Sequence, residues 1–161
     1  MKESTQKSLD ILSWGINSEL AAYVFYKRAA EKVDKDKYIE AFEKLAGEEK
    51  DHYWTLEAEY DSLVRSEKWN TYSDLMRKTG LPEMPEEMSE THRKRIEILD
   101  TITEIDKILE IALELEQEAY NYYSSQIDKV DDPVAGEMLD YLSKFELGHV
   151  NLIKKWIKEL L

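Results

Sequence analysis

One pattern that occurs twice constrains this chain more than anything else in it. Glu49-Lys50-Asp51-His52 and Glu146-Leu147-Gly148-His149 each set a carboxylate and an imidazole three residues apart, and the two copies are 97 positions apart (146 − 49). On a helix, residues i and i+3 share a face, so both side chains of a pair reach one point. The first pair lies in an apolar stripe with Phe42, Leu45, Leu56 and Leu63, and the second in one with Met138, Leu142, Phe145, Ile153 and Trp156. Both pairs therefore face a core. A charge buried there without a partner costs on the order of several kcal/mol or more. A metal ion is the partner that suits both residue types.

Composition narrows the possibilities. At 161 residues the chain reads as a single domain, 1–161, with one good core. Five Gly and three Pro are few, which favours long helices. The absence of cysteine removes disulfides, zinc–thiolate sites, iron–sulfur clusters and thiol nucleophiles from the chain itself. A net charge of −13 argues against nucleic acid and anionic membranes as partners. No apolar run approaches the roughly 18 residues of a membrane span. Met1 to Lys7 lacks the apolar stretch of a signal peptide, so a cytoplasmic location is expected.

Hydrophobic periodicity predicts four long helices. The first runs from about Thr5 to Val33, and a single acid, Glu19, stands on its apolar stripe between Ile16 and Tyr23. Asp34 and Asp36 offer a turn and an N-cap. The second helix spans about Lys37 to Arg65. From Ser66 to Asp100 the pattern breaks, with Gly80, Pro82 and Pro85, and a crossover with one or two short helical pieces is expected. A helix of about 28 residues is about 42 Å long. A crossover of this length can run back along it and set the third helix parallel to the second. Thr103 and Asp106 have capping-box spacing. The third helix carries Ile105, Leu109, Ala112, Ala119, Tyr123, Ile127 and Val130, again with one inward acid, Glu116. Asp132-Pro133 provides a cap and a first-turn proline for a fourth helix that runs to the C-terminus. The fold class is all-α, an antiparallel four-helix bundle with a long crossover between helices 2 and 3. His92 reads as a surface residue, Glu114 and Glu118 fall on other faces, and Trp14, Trp54, Trp69 and Trp156 read as packing or interface residues.

The repeat extends well beyond the two motifs. A shift of 97 residues lays Glu19 on Glu116, Ala22 on Ala119, Tyr26 on Tyr123, Val33 on Val130 and Leu45 on Leu142 without a gap. Glu19 to Glu49 and Glu116 to Glu146 are both 30 residues (49 − 19; 146 − 116), with midpoints at Asp34 and Asp131 in the predicted turns. In an antiparallel hairpin, residues equidistant from the turn meet at the same height, here roughly 22 Å from it. Two such hairpins packed face to face bring four Glu and two His to mid-bundle. The bland alternative is that these six groups pair only among themselves.

Four carboxylates and two neutral imidazoles carry about −4, which two divalent cations neutralise. Oxygen-rich donors with one nitrogen per metal suit iron(II) or manganese(II) better than zinc. One Glu from each of two helices and a Glu-x-x-His from each of the other two is the ligand pattern of di-iron and di-manganese carboxylate bundles. On Glu19-x-x-Ala22-x-x-Phe25-Tyr26, Glu49-x-x-His52, Glu116-x-x-Ala119-x-x-Tyr122-Tyr123 and Glu146-x-x-His149, the chain resembles the ferritin-like superfamily and, within it, the rubrerythrin family. That resemblance implies two iron ions, with manganese as the alternative. It implies that Glu49 and Glu146 bridge the metals, that Glu19 and Glu116 are terminal ligands, and that His52 and His149 each cap one metal. It further implies an oxidoreductase, acting in defence against oxidative stress, that reduces hydrogen peroxide or reacts with O2, and a homodimer. Ferroxidase storage and manganese catalase are the alternative activities. The helix reaching Leu161 argues against the fifth helix of classical ferritins.

Two departures from the family pattern bear on function. Rubrerythrins with a rubredoxin-like domain hold its iron with four cysteines, and this chain has none, so an external redox protein is the expected electron donor. Rubrerythrins also use an extra Glu one turn after the third-helix ligand, where this chain has Ala119. Tyr26 and Tyr123, two turns beyond Glu19 and Glu116, are the catalytic candidates. Their hydroxyls could bond ligand carboxylates or take part in radical transfer, or the rings could simply fill the core, as could Tyr23 and Tyr120.

Overall fold

A computed structural model describes residues 2–66 and 90–160. Four long helices and one short one carry the described residues: α1 Glu3–Lys32, α2 Asp36–Ser66, α3 Glu90–Thr101, α4 Ile105–Gln126 and α5 Pro133–Leu160. A single 3-10 turn, Ile127–Lys129, joins α4 to α5. There is no strand among the described residues, and the architecture is the all-α, ferritin-like helical bundle. No helix among them is long and apolar enough to cross a membrane. The middle of the expected crossover, with Trp69, Gly80, Pro82 and Pro85, lies outside the described residues.

The helix starts show which local signals the chain uses. At α5 the cap is as the sequence predicts: Asp132 Oδ1 accepts from the Val134 amide at 2.8 Å and the Ala135 amide at 3.3 Å, with Pro133 at the first helical position. At α2 neither aspartate caps with its side chain. The Lys35 carbonyl accepts from Tyr38 and Ile39, and Asp36 sits inside the first turn, where its charge favours the helix dipole. The capping box at α4 does not form. α4 begins at Ile105, the N-cap is Glu104, and the Thr103 amide bonds Glu104 Oε2 at 3.3 Å. The link from α3 is only three residues long, which leaves Thr103 outside the cap position.

Helix directions follow from which residues meet. α1 and α2 form one antiparallel hairpin, and α4 and α5 the other. Tyr26 reaches Glu116 while Tyr123 reaches Glu19, so α1 and α4 run antiparallel, and α4 is parallel to α2 as the crossover requires. Apolar side chains fill the bundle above and below its middle. Phe25, Phe42, Leu45, Leu109 and Ile153 pack one end, and Leu9, Leu12, Leu56, Leu139 and Leu142 pack the other. Between these two plugs lies the level of Glu19, Glu49, Glu116 and Glu146.

The short helix α3 corrects one reading. His92 is buried, not exposed, along with Arg95, Ile96 and Leu99. These four stand at i, i+3, i+4 and i+7, an inward stripe that two polar residues disguise. Arg95 Nη2 pairs with Glu114 at 3.2 Å and with Glu118, and Arg95 Nη1 lies 3.4 Å from His92 Nδ1. Burial, then the Arg95 charge, lowers the His92 pKa, so the ring is neutral. Glu114 and Glu118 thus point away from the centre of the bundle, as their helix face predicts.

Gly15 shows how tightly the core is closed. A Cβ there would stand 2.9 Å from Leu56 Cδ1 and 3.0 Å from the Tyr123 hydroxyl, whereas at Gly47 it would meet nothing within 4 Å. Gly to Ala inside a helix ordinarily gains roughly 1 kcal/mol. Gly47→Ala is expected to raise the melting temperature. Gly15→Ala is expected to lower it, by overpacking that costs about 1–3 kcal/mol. Paired thermal melts of the two variants check this.

Candidate metal centre

All six residues predicted from the repeat meet at mid-bundle, and none is more than 5% exposed. They form two overlapping groups, each with one potential ligand atom per residue within 4.8 Å of the others. One is Glu19, Glu49, His52 and Glu146, and the other is Glu49, Glu116, Glu146 and His149. Glu49 and Glu146 belong to both groups, while each of the remaining four belongs to one. The two groups thus share two carboxylates, and each adds one further Glu and one His of its own.

Both imidazoles turn Nδ1 inward. His52 Nδ1 lies 3.3 Å from Glu146, 3.6 Å from Glu19 and 3.7 Å from Glu49. His149 Nδ1 lies 2.8 Å from Glu49, 3.2 Å from Glu146 and 3.3 Å from Glu116. The two tyrosines cross between hairpins. Tyr26 donates its hydroxyl to Glu116 Oε1 at 2.5 Å, and Tyr123 donates to Glu19 Oε1 at 2.7 Å. Each phenol therefore fixes the free Glu of the opposite hairpin. Burial first, and then the carboxylate charges around them, raise both phenol pKa values, so both remain donors.

Whether this pocket fits a cation is decided by its orphaned atoms. Glu19 Oε2, Glu49 Oε1, His52 Nδ1 and Glu146 Oε1 are fully buried and have no hydrogen-bond partner. Glu49 Oε1 does lie 2.8 Å from His149 Nδ1, but as an ion-pair contact without hydrogen-bond alignment. Buried polar atoms are rarely left so. Four of them converging on one point, all of metal-ligating type, fit a pair of hard divalent cations.

The electrostatics point the same way. Four carboxylates this close cannot all ionise. Burial opposes the Glu19 charge, yet the neighbouring Glu49 carboxyl and the His52 charge bring its pKa down to about 2. Glu116 is lowered too, its burial outweighed by hydrogen bonds with Glu146, His149 and Tyr26. Burial and the charges of Glu19 and Glu116 push Glu49 up to about 8. Burial and the charges of Glu116, Glu19 and Glu49 raise Glu146 well above the carboxylate range. Burial works against charge on both imidazoles, but the surrounding carboxylates override it and raise both. The shifts thus lean Glu19 and Glu116 toward the ionised form, and Glu49, Glu146 and both imidazoles toward the protonated form. Divalent ions bound there would displace protons from the raised groups.

Sequence reasoning missed one participant. Glu48 Oε2 lies 2.6 Å from His149 Nε2, on the side of the ring away from the other carboxylates. Its position next to Glu49, at the margin of the α2 stripe, was the available signal. The tryptophans behave as packing residues where they are described: Trp14 stacks on Tyr122 with centroids 3.7 Å apart, and Trp156 packs edge-on against Phe42.

The family model described as Rubrerythrin matches residues 10–157, nearly the whole chain and all four long helices. No curated protein and no solved structure matches it significantly.

The shifted groups give the protein stripped by chelator an unusual pH response. Folded, Glu49 keeps its proton up to about pH 8, against an ordinary value of 4.5. Between those values the folded state binds more protons, so its stability falls as pH rises. The raised imidazoles act in the same direction above 6.5. Glu19 acts oppositely, and its contribution is lost only as pH falls from 4.5 toward 2. Chelator-treated protein is therefore expected to melt highest near about pH 5 and lower toward pH 8, and added manganese(II) to reverse that trend. Melting curves at pH 5, 6.5 and 8, with and without the metal, measure it.

Proposed function

The chain belongs to the rubrerythrin family, and from that membership and its buried ligand set we propose that it is a di-iron oxidoreductase that reduces hydrogen peroxide, or reacts with O2, with electrons from an external redox protein. The observation that carries this reading is the convergence of fully buried ligand atoms without a hydrogen-bond partner from Glu19, Glu49, His52 and Glu146. Glu49 and Glu146 would bridge the two metals. Glu19 with His52 would complete one position, and Glu116 with His149 the other, as the shared and unshared memberships of the two groups support.

When bound, a pair of iron ions supplies the two-electron chemistry that peroxide reduction needs, H2O2 + 2e− + 2H+ giving two H2O. The chain's own groups do the rest. Tyr26 and Tyr123 hold Glu116 and Glu19 in place through their hydroxyls, so the terminal carboxylates are oriented before any ligand arrives. The apolar plugs above and below exclude water, which strengthens every charge interaction at that level. The same donor set serves manganese(II). The proposal includes a role in oxidative-stress defence and a homodimer in the cytoplasm.

Glu49→Ala and Glu146→Ala are each expected to abolish binding of both metals, because each removes a shared ligand. Glu19→Ala and Glu116→Ala are each expected to lose one metal per chain. Metal analysis of iron-reconstituted protein reads this directly, and two irons per chain in either bridging variant would sink the assignment. Peroxide consumption is expected to require an added reductant. Oxygen release without one would favour a manganese catalase, and a hollow 24-subunit particle on sizing would favour storage.

A further inference from the structure

The internal two-fold that relates the halves of the centre is broken beside its histidines. Moving by 97 residues carries Glu48 onto Phe145 (48 + 97). On the His149 side, the outer ring nitrogen Nε2 meets the Glu48 carboxylate at 2.6 Å. On the His52 side, Phe145 stands edge-on to the ring at 4.4 Å, with Tyr141 beyond it at 6.2 Å. Phe145 also touches the His149 ring, at 5.0 Å. Among the described residues, every ion pair of His52 runs through Nδ1, whereas His149 has carboxylates at both nitrogens.

The surroundings differ in the same sense. Glu48 and His149 line a groove of about 530 Å³ between α2 and α5, together with Lys44, Lys144, Phe145 and Trp156. The Glu48 side chain is 28% exposed, so it reaches from His149 toward solvent, while His52 has Phe145 and Tyr141 beside it.

We propose that Glu48 is a positioning residue for His149 alone, and that it makes the two metal positions inequivalent, the one served by His149 binding more tightly than the one served by His52. This rests on the six-residue centre proposed above. A carboxylate on Nε2 requires that nitrogen to carry the proton, which leaves Nδ1 as the lone-pair donor and stops the ring from turning. It also makes the imidazole the more basic ligand. Loss of such an outer partner ordinarily costs 10–100-fold in metal affinity. His52 has the perpendicular Phe145 ring beside it and no carboxylate at Nε2 among the described residues, so its ring is packed without being made more basic.

The test is calorimetric and EPR titration of the chelator-stripped chain with manganese(II) alone, in wild type, Glu48→Ala and Glu48→Gln, with a thermal melt of each. Wild type is expected to take up two ions. Glu48→Ala is expected to weaken one position by about 10–100-fold and leave the other within about threefold. Glu48→Gln keeps a carbonyl that accepts from Nε2 and is expected to recover part of the loss, which a merely space-filling role would not predict. Two ions bound by wild type with Glu48→Ala indistinguishable from it, or with both positions weakened alike, overturns this inference and leaves the six-residue centre standing. No manganese bound by folded wild type overturns both.

Discussion

Six ionisable side chains buried at one level of a helical bundle are an electrostatic problem before they are a site. An isolated ion at that depth costs many kcal/mol, and four like charges within contact distance compound the cost. The chain meets it by splitting the carboxylates into two that ionise, Glu19 and Glu116, and two that hold protons, Glu49 and Glu146. The two imidazoles balance the first pair. Each group is held by the others, so the fold around them must be precise: α1 cannot slide against α4 without breaking both crossed tyrosine bonds. Gly15, with no room for a methyl group beside Tyr123 and Leu56, is the same constraint felt from α1.

This arrangement has a two-fold origin and a one-sided finish. The crossed phenols, the shared carboxylates and the alternation of protonated and ionised Glu all obey the 97-residue repeat. Glu48 and Phe145 do not, and neither does the groove that opens over His149. A symmetric centre would offer an arriving molecule two equal approaches. Here the groove beside His149 carries a carboxylate and two lysines, whereas the His52 ring has Phe145 and Tyr141 as its aromatic neighbours. Departures from a repeat are informative because symmetry supplies the reference that a single copy lacks.

The all-α bundle and the meeting of the six residues were legible because both reduce to counting. Helical period placed Glu19 and Glu116 inward, and equal 30-residue intervals placed them opposite Glu49 and Glu146. Capping was less legible. Asp132-Pro133 acted as its composition predicts, but the Thr103–Asp106 spacing could not reveal a three-residue link that moves the cap to Glu104. His92 was misread because its stripe contains Arg95, and a buried guanidinium is inferable only when its partners, Glu114 and Glu118, come from another helix. Glu48 was missed for a related reason. Its partner lies 101 residues away (149 − 48), and its place beside Glu49 at the margin of the stripe does not reveal that partner.

Ala119 draws these threads to the chemistry. The resemblance implies an extra carboxylate at that turn, and this chain buries a methyl group there. The adjacent Glu118 does not stand in for it, because Arg95 holds it on the outer face. On the proposed reading, the ligand charge therefore stays at about −4, which balances two divalent ions and leaves two trivalent ions with an uncompensated +2. In a dry site that excess is costly, so the shell favours the reduced pair and would raise its potential relative to a centre with a fifth carboxylate.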